Sequence, residues 1–357
     1  MISVEQGGTG INSQNSKRPR PGIVEVAAAA QVSTATVDRV LNNRGGVREA
    51  TVRRVLKAAE ELGYIFTSQT SAVPGVSRKL VFLLPEGTNP YLEQLAGLIR
   101  SAGSVPPPFQ TRCDCQLVKG FDPSALAEAI RCNETKYDGI AVMGLEHPVV
   151  REAINEVSRK GTPIVTIISD VSHCERTAFV GLDNRAVGRT AAFLLGRFCG
   201  RREGEVALIA GSLSYLAHNE REMGFLSLMQ ESYRGLKIIG VREGHDDFVE
   251  NYQLTVSLLQ QHPDLVGIYN IGGSSGGVAS ALREAGKADS IVFIGHGLSD
   301  DTRSLLIDGT MDVLISQNPL TIVQNVCHIF SNIHNGLSPT ERIPDIAMRI
   351  ICRENLP

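Results

Sequence analysis

The stretch Gly22–Tyr64 decides how the N-terminal part of the chain folds; it reads GIVEVAAAAQVSTATVDRVLNNRGGVREATVRRVLKAAEELGY. Its first apolar residues have the spacing of one helix face: Ile23, Val26, Ala27 and Ala30. Ser33 is a good N-cap for a second helix, and Asn42–Gly46 interrupts the chain. A third helix follows and ends at Gly63. Three short helices with a tight turn between the first two form a helix-turn-helix unit.

The second and third predicted helices each divide into an apolar and a polar face. The second keeps three residues for the core: Val37, Val40 and Leu41. The third places five residues on one face: Val52, Val55, Leu56, Ala59 and Leu62. Four residues of the second helix face outward: Thr34, Ala35, Asp38 and Arg39. Small side chains and one arginine near a helix N-terminus suit the DNA major groove. A three-helix packing module with a solvated second helix would explain the same pattern.

The spacing within this stretch resembles the headpiece of the LacI/GalR (lactose-repressor/galactose-repressor) family of bacterial regulators. The matching residues are Val26-Ala27, Val32-Ser33, Ala35-Thr36-Val37, Arg39-Val40-Leu41-Asn42, Val47, Thr51, Val55, Ala58-Ala59 and Leu62-Gly63-Tyr64. Two positions depart from the family: Gln31 stands where it usually has Gly, and Asp38 where it usually has Ser. Because a carboxylate repels phosphates, we expect Asp38 to accept from a cytosine amino group or to pair with Arg39.

The resemblance implies which residues contact DNA. Three are expected to read bases: Thr34, Ala35 and Arg39. Three are expected to contact phosphates and fix the register: Ser33, Thr36 and Asn42. In the family, the hinge after the headpiece forms a short helix from which a leucine enters the minor groove. Val73 falls at about that place, and Pro74 follows at once. This hinge is therefore expected to contact DNA weakly or to stay a coil.

Composition supports a two-part protein. The 357 residues suit two or three domains, and 42% hydrophobic residues allow proper cores. The formal net charge is −3, but residues 17–66 carry nine basic and five acidic side chains. A basic head on an acidic body fits a DNA-contacting module attached to another domain.

The sequence predicts a cytoplasmic protein with no cofactor, metal or membrane partner. Residues 1–21 are polar and Gly/Ser/Asn-rich, so we expect a flexible N-terminal leader without an apolar export segment. No apolar run is long enough to span a bilayer. The seven cysteines are scattered and show no second pair at zinc spacing. We expect free thiols in a reducing compartment.

Strand and helix patterns alternate from Leu80 onward, after a linker over residues 67–78. Leu80–Leu84 is a continuous apolar run, typical of a parallel strand that is buried on both faces. Strict alternation over this length predicts an α/β fold with two parallel sheets, each covered by helices on both faces. Ligands of such folds bind beyond the carboxyl ends of the strands.

This body is similar to the regulatory core of the same family, which resembles a ribose-type periplasmic sugar-binding protein. The matching pieces are Asn89-Pro90-Tyr91, Val180–Asn184 with Gly188, Glu220–Phe225 and Val313–Gln317. The resemblance implies an all-α headpiece over 22–66 and a two-lobed, type I periplasmic-binding-protein-like core over 79–357, with three crossings between lobes. We expect lobe 1 at about 79–200 and 319–335, and lobe 2 at about 201–318 and 336–357.

Four candidate effector-binding residues come from the first lobe. Asn89 and Tyr91 follow the first strand, where a tyrosine stacks on a sugar ring and an amide binds a hydroxyl. A helix cap and a core tyrosine would explain them equally well. Ser169 and Asp170 end the fourth strand, where a carboxylate accepts hydroxyl protons; the alternative for Asp170 is a turn.

Four more candidates come from the second lobe and its last crossing. The resemblance points Arg221 into the cleft, although a surface ion pair with a neighbouring glutamate is the alternative. Asn270 and Gln317 each end a strand and match polar ligand-binding positions. Asn270 is followed by Ile-Gly-Gly where many sugar binders carry Asp, so an anchoring carboxylate is expected to be missing. Asp247 precedes a helix and serves either the ligand or the N-cap.

One motif favours an enzyme. Gly272–Gly276 matches Gly-x-Ser-x-Gly between a strand and a helix, like a hydrolase nucleophile elbow around Ser274. His296 and His328 lie downstream as candidate bases. Chance matches to so short a pattern are frequent, and the same glycines suit a phosphate. We therefore predict no catalytic residue.

The sequence as a whole predicts a transcriptional regulator that acts as a repressor. A homodimer is expected to bind double-stranded operator DNA, under allosteric control by a monosaccharide, polyol or sugar phosphate held between the lobes. The alternatives are a serine hydrolase using Ser274 and a sugar sensor without DNA-binding activity.

Overall fold

The computed structural model describes residues 22–41, 47–62, 78–102, 111–200 and 203–357. They form two compact units, of which the first holds 22–62 and the second 78–357. The predictions for Asn42, for Val73, for the leader over 1–21 and for the hinge up to residue 77 lie outside the described residues.

The first unit contains the three predicted helices: α1 (Ile23–Ala30), α2 (Thr34–Leu41) and α3 (Glu49–Glu61). Their buried core consists of Val26, Ala27, Ala30, Val37, Val55, Ala58 and Ala59. The expectation that Leu56 and Leu62 are core residues is wrong, because they are 40% and 36% exposed. The small side chains of α1 pack on the side of α3 that carries Val55, Ala58 and Ala59, and this leaves Leu56 outside.

The turn between α1 and α2 has two identifiable causes. The Ser33 hydroxyl accepts a hydrogen bond from the Thr36 amide at 3.2 Å, so Ser33 begins α2 as predicted. Gln31 ends α1 in the left-handed conformation with φ of 51°, at the position where the resembled family uses glycine. A side chain at such a position stores a small strain that glycine would avoid.

Lobe 1 of the second unit is a parallel sheet with helices on both faces. Its elements are β1 (Arg78–Pro85), α4 (Pro90–Ala102), β2 (Thr111–Val118), α5 (Pro123–Asn133), β3 (Gly139–Val142), α6 (Pro148–Arg159), β4 (Ile164–Ile167) and β5 (Ala178–Val180). The strand order is β2-β1-β3-β4-β5, and every pairing is parallel. Strands β3 and β4 are buried along their whole length, as their apolar sequences predict.

Lobe 2 holds the second sheet. Its elements are α7 (Asn184–Cys199), β6 (Gly204–Ala210), α8 (Leu216–Ser232), β7 (Leu236–Glu243), α9 (Phe248–Gln261), β8 (Leu265–Asn270), α10 (Ser275–Glu284), β9 (Val292–His296), α11 (Asp300–Ile307), β10 (Val313–Ser316) and β11 (Arg349–Ile351). The strand order is β11-β10-β9-β8-β6-β7. The predicted α/β fold with two helix-covered sheets is confirmed.

Strand β11 departs from the predicted all-parallel sheets. It pairs antiparallel with β10, with Ser316 opposite Arg349. Between these strands the chain forms α12 (Pro319–His334), which packs into the core of lobe 1 through Ile322, Val326 and Phe330. The chain therefore re-enters lobe 2 at the end of the sheet where β10 stops, and it runs back in the opposite direction.

Helix α7 corrects the expected lobe boundary. The prediction assigned it to lobe 1, but Val187, Ala191 and Leu195 lie in one buried cluster with Val206 and Phe225 of lobe 2. The first crossing thus precedes α7 rather than following it.

Two glycines let α7 and α8 approach closely. A Cβ at Gly188 would lie 2.0 Å from the carbonyl oxygen of Arg221, and one at Gly224 would lie 2.2 Å from that of Arg185. Only glycine permits backbone contact of this kind. The pair holds the helix that carries Arg221 firmly against the core of lobe 2.

Other sequence expectations concern thiols, metals and membranes. None of the seven cysteines, which all lie within the described ranges, forms a disulfide; Cys113 and Cys327 are buried with their sulfur atoms 3.8 Å apart, whereas Cys132 is exposed. Within the described ranges, no group of three or more His, Cys, Asp or Glu side chains is arranged to hold a metal ion. No described helix combines the length and the apolar character needed to cross a bilayer.

Candidate functional site

The outward face of α2 forms the candidate DNA-contacting surface of the first unit. Ser33, Thr34, Ala35 and Arg39 are exposed, whereas Thr36 and Asp38 are half-buried. Val37 lies between Thr36 and Asp38 and is completely buried. It therefore fixes which face of α2 is turned outward. The hydroxyl oxygens of Ser33 and Thr36 lie 2.9 Å apart, so the two residues predicted to contact phosphates form one polar cluster.

The second unit has a cleft between its lobes, at the carboxyl ends of the strands. We call the part lined by the buried Tyr91 and Arg221 the inner chamber; its volume is about 50 Å³. Four of the eight predicted effector-binding residues line it: Asn89, Tyr91, Arg221 and Gln317. Asp246 and His296 line it as well, although neither was a predicted effector-binding residue.

Arg221 is the buried cation of the inner chamber. Its Nε donates to the side-chain oxygen of Asn184 at 2.8 Å, and its Nη1 donates to the carbonyl of Ile271 at 3.0 Å. The other N–H groups of the guanidinium make no hydrogen bond to a described residue. Burial lowers the pKa of Arg221 from its ordinary value, while nearby Tyr269 and Asp246 oppose this shift. The interpretation of Arg221 as a cleft residue therefore fits its position, and a surface ion pair does not.

Asp246 supplies the carboxylate that the sequence analysis considered missing. Its Oδ1 accepts from the Gly273 amide at 2.6 Å, and its Oδ2 accepts from the Asn89 side-chain amide at 3.0 Å. Its carbonyl oxygen accepts from the hydroxyls of Thr88, at 3.1 Å, and Ser274. Because Thr88 and Asn89 belong to lobe 1, these bonds join the two lobes. We call Thr88, Asn89, Asp246 and Ser274 the latch.

The latch requires close backbone approach and an unusual local conformation. A Cβ at Gly273 would lie 2.2 Å from the Asn89 side-chain nitrogen, so a larger residue would block this contact. His245, Asp246 and Ser274 all have positive φ, of 49°, 53° and 51°. Strained backbone of this kind gathers at ligand-binding and switching regions. Sequence reasoning chose Asp247 over Asp246 because nothing in the local pattern signals a left-handed residue here.

Two polar groups in the inner chamber have no partner. The hydroxyl of Tyr91 and Oε1 of Gln317 are buried and make no hydrogen bond within the part of the chain that the structure describes. Burial raises the pKa of Tyr91, and the side chain of Gln317, which lies beside the hydroxyl without the geometry of a normal hydrogen bond, opposes this shift. Buried polar atoms in proteins are nearly always bonded, so such a pair in a cleft is a binding signal.

Two histidines complete the polar wall. Nδ1 of His218 lies 3.0 Å from the carbonyl oxygen of Ser212, and burial lowers the pKa of His218 to about 4. Nε2 of His296 lies 2.8 Å from the hydroxyl of Tyr269. Burial and the Arg221 charge hold the pKa of His296 well below its usual value. Both imidazoles are therefore neutral at pH 7. His218 was not among the predicted site residues, and His296 was predicted only as a candidate base.

Four predicted effector-binding residues do not line the inner chamber; two of them belong to lobe 1. The buried Ser169 hydroxyl accepts from the Ala217 amide of α8 at 3.5 Å, so this bond joins lobe 1 to lobe 2. Asp170 accepts from the Thr166 hydroxyl at 2.6 Å and forms an ion pair with Arg176. The carboxylate of Asp170 is thus bound within its own lobe, as the turn alternative implied.

The other two support lobe 2. Asp247 caps α9 by accepting from the amides of Val249 and Glu250, at 2.8 and 3.0 Å. Asn270 is buried, and its side-chain nitrogen donates to the Gly273 carbonyl at 2.9 Å and to the Ser275 hydroxyl at 3.0 Å. Asn270 therefore shapes the loop whose Gly273 amide binds Asp246.

The geometry of Ser274 does not match a nucleophile elbow. Its hydroxyl donates to the main-chain carbonyls of Asp246 and Thr88, the second at 3.1 Å. In the described residues it has no hydrogen bond to a histidine, and His296 is bonded to Tyr269 instead. The base that would activate a serine is thus not in place.

Two segments of the chain match known families. Residues 22–66 match bacterial regulatory proteins of the lacI family. Residues 124–337, more than half of the chain, match the periplasmic binding protein domain.

Individual relatives agree with both segments. The ribose operon repressor of Halalkalibacterium halodurans is 28% identical over 290 residues, which cover 80% of each chain. The D-allose-binding periplasmic protein of Escherichia coli is 26% identical over 195 residues, covering 52% of this chain and 62% of that protein. A solved glucose-galactose binding protein from Geobacillus stearothermophilus has a TM-score of 0.70 at 22% identity and covers 79% of this chain and 100% of its own. The structural likeness shows the same fold.

Proposed function

Because the body of this chain belongs to the periplasmic binding protein domain family and residues 22–66 match the lacI family of bacterial regulatory proteins, we infer that the chain is a sugar-responsive, DNA-binding transcriptional regulator. We propose further that it is a cytoplasmic repressor, that it acts as a homodimer, and that sugar binding between the lobes changes its affinity for operator DNA. The observation that carries this proposal is the convergence of Arg221, Asp246, Asn89 and Gln317 on one cleft.

The chemistry of the inner chamber suits a neutral sugar better than a sugar phosphate. Arg221 offers N–H donors, Asp246 offers acceptors, and the amides of Asn89 and Gln317 offer both. Alternating donors and acceptors match the hydroxyl groups of a pyranose or furanose. The carboxylate of Asp246 would repel a phosphate that approached Arg221. The repressor and binding-protein relatives are named for ribose, allose, glucose and galactose, which are neutral sugars.

The proposed DNA contact is tested by replacing the exposed arginine of α2. Arg39→Ala is expected to weaken specific operator binding by about 1–3 kcal/mol, because a bidentate contact to a guanine is lost. A mobility-shift titration with promoter DNA measures this. Arg54→Ala, an exposed arginine on α3, is the matched control and should cost clearly less. Equal losses for the two variants would refute base reading by Arg39.

The proposed coupling needs a second readout. In the same mobility-shift assay, a sugar that binds the intact protein should change the operator affinity. Arg221→Met should abolish that response while leaving operator binding without sugar intact, since Arg221 lies in the sensor unit. A response that survives in this variant would contradict the proposed site.

The family points to regulators rather than enzymes. We propose that Ser274 is a latch residue and performs no catalysis. Turnover of p-nitrophenyl acetate by the purified protein that is lost in Ser274→Ala would overturn this assignment.

A further inference from the structure

A second cavity lies against the inner chamber. We call it the outer chamber; its volume is about 290 Å³, against about 50 Å³ for the inner one. The two chambers share Asn89, Leu92 and Asp246 as wall residues. Since Asn89 and Asp246 are bonded to each other, the latch itself divides one interlobe space into two parts.

Neither volume alone suits the proposed site. The inner chamber has room for only a few water molecules in this conformation. Ligand pockets usually measure about 300–1,000 Å³. The outer chamber lies near the lower end of that range, and the two chambers without the dividing bond would lie within it.

The latch bond is one that a sugar can replace. The Asn89 amide donates to the Asp246 carboxylate, and a hydroxyl of a sugar both donates and accepts. A sugar that inserts between them satisfies both groups without leaving a buried polar atom unpaired. Such a ligand would occupy space that opens directly into the outer chamber.

The walls of the outer chamber fit a sugar ring. Phe121 of lobe 1 makes edge-to-face contacts with Tyr215 and His245 of lobe 2, with ring centroids 5.6 and 5.4 Å apart. Phe121 has a positive φ of 57°, so its backbone is strained like that of the latch. Sugar sites use aromatic rings to contact the C–H faces of a sugar and polar side chains to bind its hydroxyls. The polar side chains of the outer chamber include Glu93 and Arg100.

We propose that the effector is a disaccharide, with one ring in the inner chamber and its second ring in the outer chamber. This inference rests on the proposed sugar response and narrows the class of sugar. Arg221 and Gln317 hold the first ring. Phe121 and the exposed Leu117 contact the second ring.

The test compares sugars that differ only by one ring. Isothermal titration of the full chain would use D-glucose against maltose and cellobiose, and D-galactose against lactose and melibiose. At least one disaccharide is expected to bind ten or more times more tightly than its matching monosaccharide. Phe121→Ala should remove that advantage and leave the affinity for the monosaccharide within twofold.

Two further variants guard against a folding defect. Leu117→Arg places a long side chain in the outer chamber from a residue that is 46% exposed, and it should block only the disaccharide. Phe193→Ala, at an exposed phenylalanine on α7, is the control and should change neither affinity.

The outcomes separate the two proposals. Monosaccharides that bind as tightly as every disaccharide would overturn the disaccharide inference and leave the sugar response standing. Binding of the disaccharide by both Phe121→Ala and Leu117→Arg with the affinity of the parent would likewise overturn the disaccharide inference and leave the sugar response standing. No binding by any of the six sugars, or equal binding by Arg221→Met, would overturn the proposed site and this inference with it.

Discussion

The two lobes contribute unlike chemistry to the cleft. Lobe 1 supplies mainly apolar or aromatic side chains, such as Tyr91, Met143 and Ile168, whereas lobe 2 supplies Arg221 and Asp246. The difference indicates a division of labour in which lobe 2 recognises hydroxyl groups and lobe 1 closes over the ring. A ligand would therefore bind to lobe 2 first, and lobe 1 would join through the latch.

This division has an energetic consequence. The buried guanidinium of Arg221 and the neutral imidazole of His218 are held in lobe 2 against the cost of burying polar groups. Hydrogen bonds to Asn184 and Ile271 offset part of that cost for Arg221. On the cleft side of lobe 1 the corresponding burden is the unpaired hydroxyl of Tyr91. The comparison predicts effects of different size, and in one case of opposite sign, in the two lobes.

The largest expected effect is the pH dependence that His218 gives to lobe 2. Burial lowers its pKa from 6.5 to about 4, so the unfolded chain takes up this proton first as the pH falls. The contribution of His218 to the free energy of unfolding should therefore be complete above pH 6.5 and should fall by roughly 3 kcal/mol towards pH 4, while the buried His296 adds an acid loss of its own. Thermal unfolding of the parent and of His218→Asn between these pH values measures the difference.

The control for this prediction is an exposed histidine of lobe 1. His334 lies at the end of α12. The variant His334→Asn should show the same pH dependence of the free energy of unfolding as the parent. If His218→Asn loses stability with acid as steeply as the parent, the buried imidazole of lobe 2 is not the source.

The next effect concerns recognition by lobe 2. Arg221→Met is expected to weaken binding of the tightest-binding sugar by about 1.5–3 kcal/mol, which corresponds to roughly 10- to 150-fold, because hydrogen bonds to a charged donor are lost. Isothermal titration measures it. Arg189→Met removes an exposed arginine of α7 that pairs with Glu231 and should bind sugar like the parent. Similar losses in both variants would argue against recognition by lobe 2.

The sequence was sufficient for those parts of the protein in which function follows from one local element. Helix α2 needs only its own amphipathic pattern, so the exposure of Thr34, Ala35 and Arg39 followed from the sequence. The alternation of strands and helices likewise predicted the α/β lobes. Within the cleft, Asn89 could be predicted because it lies directly before the start of α4, whereas Arg221 lies inside α8 and was predicted from the family resemblance.

The remaining cleft residues depend on contacts that no local pattern records. Asp246 and Asp247 are adjacent carboxylates, and only the left-handed backbone of Asp246 turns it to Asn89 in the other lobe. His218 lies in the same helix as Arg221 but outside the Glu220–Phe225 piece that resembles the family. Helix α7 was assigned to the wrong lobe because a crossing without regular structure looks like any other loop.

The smallest predicted effect is that of removing a tyrosine hydroxyl, which should raise the free energy of unfolding in lobe 1 and lower it in lobe 2. Tyr91→Phe removes a buried hydroxyl of lobe 1 that has no hydrogen-bond partner among the described residues. In the absence of sugar, the free energy of unfolding should rise by about 1 kcal/mol, because an unpaired polar group is no longer buried. The same variant should bind sugar several-fold more weakly, since the hydroxyl is available to the ligand.

Tyr269→Phe is the matched change in lobe 2. Its hydroxyl lies 2.8 Å from Nε2 of His296, so the substitution leaves that buried nitrogen unpaired. This variant should therefore lose about 1 kcal/mol of stability. Chemical denaturation of the two variants beside the parent measures both changes. If both tyrosines stabilise the fold equally, lobe 1 does not hold its hydroxyl ready for a ligand, and the division between the lobes must be abandoned.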